Sequence, residues 1–477
     1  MKNNKRISKV SIGLDRRSFI KKSGALAAIG TLGISPVFSA TQLQKKNTMK
    51  KITIEDVDTN FEREPLIPYR FKGSAITEAW QTLAYLRAGS GIHRIGIGTQ
   101  GTLWSDQRVF AAHSTNGGNA LMYAMTERAV QLLKGHSFED PVKVLEELLP
   151  EVWEYGKKIT GISDLKKTFA LNALVPVDNA IWLLYADENG LSKFDDLIPE
   201  AYSKGLSARH DKVASIPSFS VGAKVEEVKA AADRGHFIMK LKTGSAGTQK
   251  EMLEKDMAFM EGVHKAIGHY ETPYTENGKI PYYFDANERY EKKETLERFL
   301  DHAKKIGAFD QIAVIEEPFG EENETYVGDL GIRVAADESA HTVEDALSRI
   351  DQGYTAIAVK AIAKTLTMTM KIAQAATERG VPCFCADLTV NPILVDWNKN
   401  VAARLPAFPD MNLGLQETNG HQYYKNWEKM VSYHPKSEGT WVRTKDGVYP
   451  IDNSFYEQSG GILHRSDHYE DIFDPEV

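Results

Sequence analysis

Five short apolar runs in the second half of the chain end in, or carry, ionisable side chains, in an order that suggests chemistry. HFIMKLK ends with Lys240 and Lys242, YYFDAN with Asp285 and Asn287, IAVIEEP with Glu316 and Glu317, and RVAADES with Asp337 and Glu338, while AIAVKAI carries Lys360. Singly, a terminal Asp often caps the next helix and a terminal Lys is often solvated. In series, three carboxylates with lysines on either side are harder to dismiss. Carboxylates brought to one point repel unless a cation lies among them, and oxygen ligands without His or Cys favour Mg²⁺ or Mn²⁺ over zinc. A lysine is a base near neutral pH only if its pKa falls, and a second ammonium two residues away and partial burial both push that way. A metal to hold negative charge and an amine to take a proton suit removal of a proton next to a substrate carboxylate.

Such residues need elements that bring them together. After about Asp211 short apolar strands alternate with amphipathic helices, the pattern of a parallel sheet with covering helices. The strands read as VASIPSFSV, HFIMKLK, YYFDAN, IAVIEEP, RVAADES, AIAVKAI, PCFCADL and NLGLQET, with helices over 250–267, 293–306, 342–352 and 366–379. Eight such units favour an α/β fold of the closed (β/α)8 TIM-like barrel type over an open doubly wound sheet with a Gly-rich phosphate turn. Ionisable residues at the C-terminal ends of barrel strands face the mouth where such barrels hold their active sites. Upstream, 51–101 reads as strands, KITIEDVDTNF and GIHRIGIGTQG, around a polar loop with Pro65 and Pro68; 119–134, 141–160 and 165–187 read as helices. The expected domains are an α+β capping domain over 50–190, the barrel over 205–420, and a C-terminal tail, 421–477, packing on the capping domain.

With these motifs in place, K-L-K-T-G (Lys240, Lys242), F-D-A-N (Asp285), I-E-E-P (Glu316), A-D-E-S (Asp337) and V-K-A-I-A-K (Lys360), the sequence resembles the enolase superfamily and its muconate lactonizing enzyme subgroup. The resemblance spans about 50–420. It implies Asp285, Glu316 and Asp337 as Mg²⁺ ligands, and Lys242 and Lys360 as acid/base groups on opposite faces of the substrate. Lys240 is then the neighbour that lowers the pKa of Lys242. Glu338, Glu317 and Asn287 are expected behind the ligands. The mandelate racemase branch uses a His on strand seven; PCFCADL has none. Dipeptide epimerases typically carry Asp-x-Asp on strand eight; here LGLQET offers only Glu417.

For substrate binding the sequence offers Asp387 on strand seven, Glu417, and two loops of the capping domain, 60–71 with Arg63, Tyr69 and Arg70, and 101–118 with Trp104, Arg108 and His113. The first loop is basic and aromatic, which suits an anionic or sugar-acid substrate. His341 and His421 read as loop residues with their own partners. The expected activity is a Mg²⁺-dependent racemase or epimerase of a small-molecule carboxylate such as a dipeptide or amino-acid derivative. Dehydratase or cycloisomerase chemistry is the alternative, and a non-catalytic ligand-binding barrel in the periplasm a further one. Homo-oligomers are common in the family.

The chain of 477 residues has 58 basic and 65 acidic residues, a formal charge of −7, which excludes the basic excess that nucleic acids require. Residues 1–40 combine basic residues, a short apolar stretch and small residues near Ala40, as an export signal does. Arg16-Arg17 followed by Ser-Phe-Ile-Lys resembles the twin-arginine signal, which implies the twin-arginine export machinery as a partner and a periplasmic or otherwise exported protein. An ordinary signal or an uncleaved anchor are the alternatives. That segment holds eight basic residues and one acidic, so the remainder carries 50 basic against 64 acidic, a charge of −14. Two cysteines, Cys383 and Cys385, make neither a disulfide framework nor a zinc site.

Overall fold

The structure is a computed structural model and describes residues 49–474; the export signal expected over 1–40 lies outside the described residues. The capping domain begins with a meander of β1 (Ile52–Phe71), β2 (Ser74–Ala88) and β3 (His93–Thr99), with β4 (Ser137–Phe138) on the far side of β1. Lys72 and Gly73 both have positive φ (48° and 71°), as a two-residue hairpin between twisted strands requires. The loop expected over 60–71 is instead the outer part of β1. Pro65 and Pro68 flank a register shift in which Pro65 faces Glu78 and Tyr69 faces Ile76. A bulge is where a strand tolerates residues that cannot donate to the ladder, and this is why prolines misled the reading.

Four helices follow: α1 (Thr102–Ser105), α2 (Gln107–Leu133), α3 (Pro141–Thr160) and α4 (Lys167–Asn189). Much of the second expected loop is thus helical. Asp106 caps α2 by accepting from Arg108 N, and the helix kinks at Ser114 (φ 63°), close to Gly117 and Gly118, whose poor helix propensity hid its first turns. α4 is apolar enough for a membrane span, yet its most apolar window is wholly buried in the fold. It lies so close on β3 that a Cβ at Gly96 would stand 1.9 Å from Pro176 O.

The barrel strands are β5 (Lys212–Ile216), β6 (Ser218–Phe219), β7 (Met239–Lys242), β8 (Tyr282–Asp285), β9 (Ile312–Glu316), β10 (Val334–Ala336), β11 (Ala356–Val359), β12 (Cys383–Cys385) and β13 (Gly414–Glu417). β5 pairs with β13 and β6 with β7, all parallel. Because β5 and β6 are two halves of one run separated by Pro217, the run closes the sheet into a ring of eight parallel strands. Ala214, Ile216, Tyr283, Val314, Ala335, Ala358, Phe384 and Leu415 fill its interior, while alternate residues of the same strands pack outward under the helices. Helices Gln249–Ile267, Lys293–Ile306, Val343–Asp351, Leu366–Glu378 and Pro392–Ala402 occupy the crossovers.

The tail touches the capping domain where Asn426 and His468 bond Glu64 and Glu62 and where Arg465 donates to His93 O at 2.8 Å. It also enters the barrel sheet: β14 (Val448–Pro450) runs antiparallel along β5. Beneath it, Asp396 and Lys399 of helix Pro392–Ala402 form a buried pair, sealed by Trp441, whose Nε1 donates to Asp396 Oδ2 at 3.0 Å and whose carbonyl accepts from Lys399 at 2.7 Å.

Candidate active site

Parallel register sets the site. Lys242 lies level with Asp285, and Asp285 with Glu316, so three strand ends present their charged groups at one height. Asp337 and Lys360 each come one residue beyond the ends of β10 and β11. Lys240 and Lys242, two apart on one strand, face the same side. Immediately beyond, Asn287, Glu288 and Glu317 hold positive φ (46°, 67° and 37°), a backbone cost of the kind that persists where surrounding structure enforces a functional geometry.

The buried Lys240 ammonium contacts Asp285 at 2.8 Å, and Glu316 and Glu417 at 3.0 Å. Burial opposes its charge, but Asp285, Glu316, Glu417 and Asp337 together outweigh that and hold its pKa well above the usual lysine value. It is therefore a fixed cation beside Lys242. Lys242 stands 2.5 Å from Asp285 Oδ2 and donates to Asn287 Oδ1 at 2.8 Å. Lys360 lies 2.6 Å from Asp337 Oδ2, under the ring of Trp104, whose Nε1 donates to the same oxygen at 3.1 Å.

Burial pushes the Glu316 carboxyl up to about 7 against the pull of Lys240, with Asp337 adding repulsion. Glu317 rises to about 8 through burial and the charges of Glu338 and Glu288. For Asp337 burial acts upward too, but Lys360 and Lys364 more than reverse it, and its pKa lies well below the ordinary value. Glu316, Asp337 and Glu338 each place an oxygen within 4.8 Å of the others. Buried oxygens Glu317 Oε1 and Glu338 Oε2 have no hydrogen-bond donor among the described residues, and Asp337 Oδ1 has the Lys364 ammonium 3.3 Å away. An all-oxygen donor set with orphaned buried carboxylate oxygens fits a hard divalent cation, Mg²⁺ or Mn²⁺. Asp285 approaches this group through the ammonium of Lys240, and Glu338, expected behind the ligands, supplies one of the clustered oxygens.

A cavity opens beside the cluster, between barrel mouth and capping domain. Lys240, Lys242, Lys360, Asp387, Glu417 and Trp104 all line it. Asp387 N donates to Glu417 Oε2 at 2.9 Å, and burial, with Glu417 adding repulsion, lifts the Asp387 carboxyl to about 7. Arg63 is the correction. It does not line the cavity but projects from the exposed side of β1, where Glu78 engages it through both carboxylate oxygens at 2.9 and 2.8 Å. Arg108 likewise turns away, to Asp106 and Asp164, while His341 bonds Glu321.

Sequence reasoning missed Lys72, Lys166 and Lys364. Lys72, at the hairpin tip, pairs with Glu288 and lies 3.2 Å from Glu338; Lys166 reaches Glu288 at 2.7 Å. These two capping-domain lysines fasten the cap to the mouth, a contact no local pattern announces. Lys364, fully buried, donates to Asp337 O at 2.6 Å. Its spacing of four from Lys360 in V-K-A-I-A-K was the available signal.

A closed barrel, an α+β cap over its C-terminal mouth and a carboxylate cluster framed by lysines define a class of capped (β/α)8 barrel proteins. Residues 223–446, the greater part of the barrel, match the family model described as Enolase C-terminal domain-like. Among solved structures, the chain is similar to the muconate lactonizing enzyme of Pseudomonas fluorescens complexed with muconolactone (17% identity, 88% of this chain and 99% of that chain, TM-score 0.60). It is also similar to the dipeptide epimerase of Enterococcus faecalis V583 complexed with Mg and L-Leu-L-Tyr (16%, 76% and 90%, TM-score 0.56). A third is the N-succinyl Arg/Lys racemase of Bacillus cereus ATCC 14579 (14%, 79% and 89%, TM-score 0.57). At these identities the likeness is one of fold. No curated protein matches.

Proposed function

We propose that the protein is a Mg²⁺-dependent racemase or epimerase that moves the proton α to a substrate carboxylate. The supporting observation is that Lys242 and Lys360 stand on the second and sixth of eight strands, on opposite sides of one cavity. A substrate between them meets an amine on each face. One lysine, neutral, takes the α-proton; the other, as ammonium, returns a proton to the opposite face, so that configuration inverts and no net proton is consumed. Lys240, fixed as a cation by its carboxylates, stands beside Lys242 on the same strand. Trp104 covers Lys360 and keeps water from it. Mg²⁺ held by Glu316, Asp337 and their neighbours Asp285 and Glu338 would supply positive charge for the substrate carboxylate as its α-proton leaves.

The test is incubation of the Mg²⁺-loaded protein in D₂O with dipeptides, N-acylated amino acids and sugar acids, read by α-deuterium incorporation and product mass. One added deuterium with unchanged formula is the expected result. Loss of water, or ring closure, replaces the reading by dehydratase or cycloisomerase chemistry on the same lysines. Tight binding without exchange in any compound overturns it in favour of a binding protein. We propose in addition that Arg16-Arg17 directs export by the twin-arginine route. A reporter fused to residues 1–45 is then retained in cells lacking that translocase.

A further inference from the structure

Resting on the α-proton-transfer reading, we infer that the cavity selects a carboxylate with a single negative charge and a bulky apolar substituent, and rejects dianions. The inference comes from where charge lies around the cavity. Among the described residues its only lining cations are Lys240, Lys242 and Lys360, all on the barrel floor beside the carboxylate cluster. The other charged lining residues are acidic: Glu78 on the cap, and Asp387 and Glu417 at the barrel mouth, with Glu417 3.0 Å from Lys240. Glu78 is already matched by Arg63 outside the cavity and by Trp80 Nε1 at 2.9 Å.

Facing the floor, the cap contributes Phe71, Ile76, Leu103 and Phe110, and the barrel adds Leu388, packed so close to the cap that a Cβ at Gly101 would stand 2.6 Å from it. A substrate carboxylate drawn to the floor projects its remainder against this apolar roof. A second carboxylate there would lose water with no cation among the described lining residues to replace it, which opposes binding. An aliphatic or aromatic group gains by the same burial. The basic character expected of residues 60–71 is absent from the cavity because Arg63 lies outside it and Arg70 is exposed. The face that remains, Tyr69 and Phe71, is aromatic.

Matched pairs that differ by one carboxylate test this: N-acetyl- against N-succinyl-L-phenylalanine, and the same pair built on leucine. Binding is measured by calorimetry on the Mg²⁺-loaded protein, exchange by α-deuterium uptake. The acetyl compounds should bind at least about tenfold more tightly than the succinyl ones, and N-acetylglycine at least about tenfold more weakly than N-acetyl-L-phenylalanine. Ile76→Arg, which brings a cation to the roof, should narrow or reverse the acetyl preference by about tenfold. Equal or tighter binding of the succinyl member, or binding of neither, overturns the inference. Acetyl compounds that bind preferentially but exchange no proton leave the charge selection standing and overturn the proton-transfer reading instead.

Discussion

The molecule buries lysine beside carboxylate in two places, with opposite results. Under the tail, Lys399 meets one carboxylate, Asp396; burial lowers its pKa, and Asp396 only partly offsets that. At the barrel mouth Lys240 is as deeply buried but contacts three, with the charge of Asp337 nearby, and its pKa rises. Both oxygens of Asp396 are engaged, by Lys399 and by Trp441, and neither residue of the pair lines the cavity. At the mouth, carboxylate oxygens are left without donors and the lysines face open space. A matched, sealed pair fixes a tail in place. A crowd of carboxylates with spare oxygens beside a cavity is poised to take up a cation and a substrate.

The contrast is sharpest in mutants. Lys242→Ala and Lys360→Ala should each lower turnover by about 10³-fold or more while the melting temperature moves by only a few degrees, read by exchange assay and calorimetry on the same samples. A matching fall in stability would put the mouth lysines in the tail's class. Asp396→Ala, which leaves Lys399 buried and unpaired, should cost about 3–5 kcal/mol in urea unfolding, with kcat of the folded protein unchanged.

A third buried carboxylate extends the series because its partners carry no charge. Asp178 of α4 accepts from Thr367 N at 3.1 Å and Thr367 Oγ1 at 2.6 Å, and burial raises its pKa to about 6 from 3.8. The native state thus holds this proton more tightly than the unfolded chain does. Its charged form costs stability in full above pH 6, and the cost fades as pH falls towards 3.8. Relative to Asp178→Asn, the native protein should lose about 2–3 kcal/mol between pH 4 and pH 7, measured by denaturant titration at each pH. The smallest effect concerns the cation. Mg²⁺ at ten times its Kd should stabilise the native protein by about 1.4 kcal/mol; Asp337→Ala should abolish the shift and Lys399→Met should not.

The barrel was legible because its strands are short apolar runs, five of which end in or carry charged residues at the mouth, so one pattern signals both fold and site. The eight candidate residues from Lys240 to Glu338, with Lys360, Asp387, Glu417 and Trp104, are found around one cavity or directly behind it. The cap was harder to read. Pro65 and Pro68 write a loop over what is a bulged strand, and Gly117 and Gly118 hide the first turns of α2. Arg63 misled because alternation on β1 has meaning only once the register with β2 is known. Lys72 could not be found at all, since its partner Glu288 lies 216 residues away.

The pairing of β14 with β5 has a bearing on how the chain is made. Val448 lies opposite Ala214, so the strand that opens the barrel stays uncovered on one side until the chain has been made as far as Val448. Neither tail nor barrel is finished alone, and a nascent chain stopped before Val448 presents a bare strand edge to chaperones and proteases.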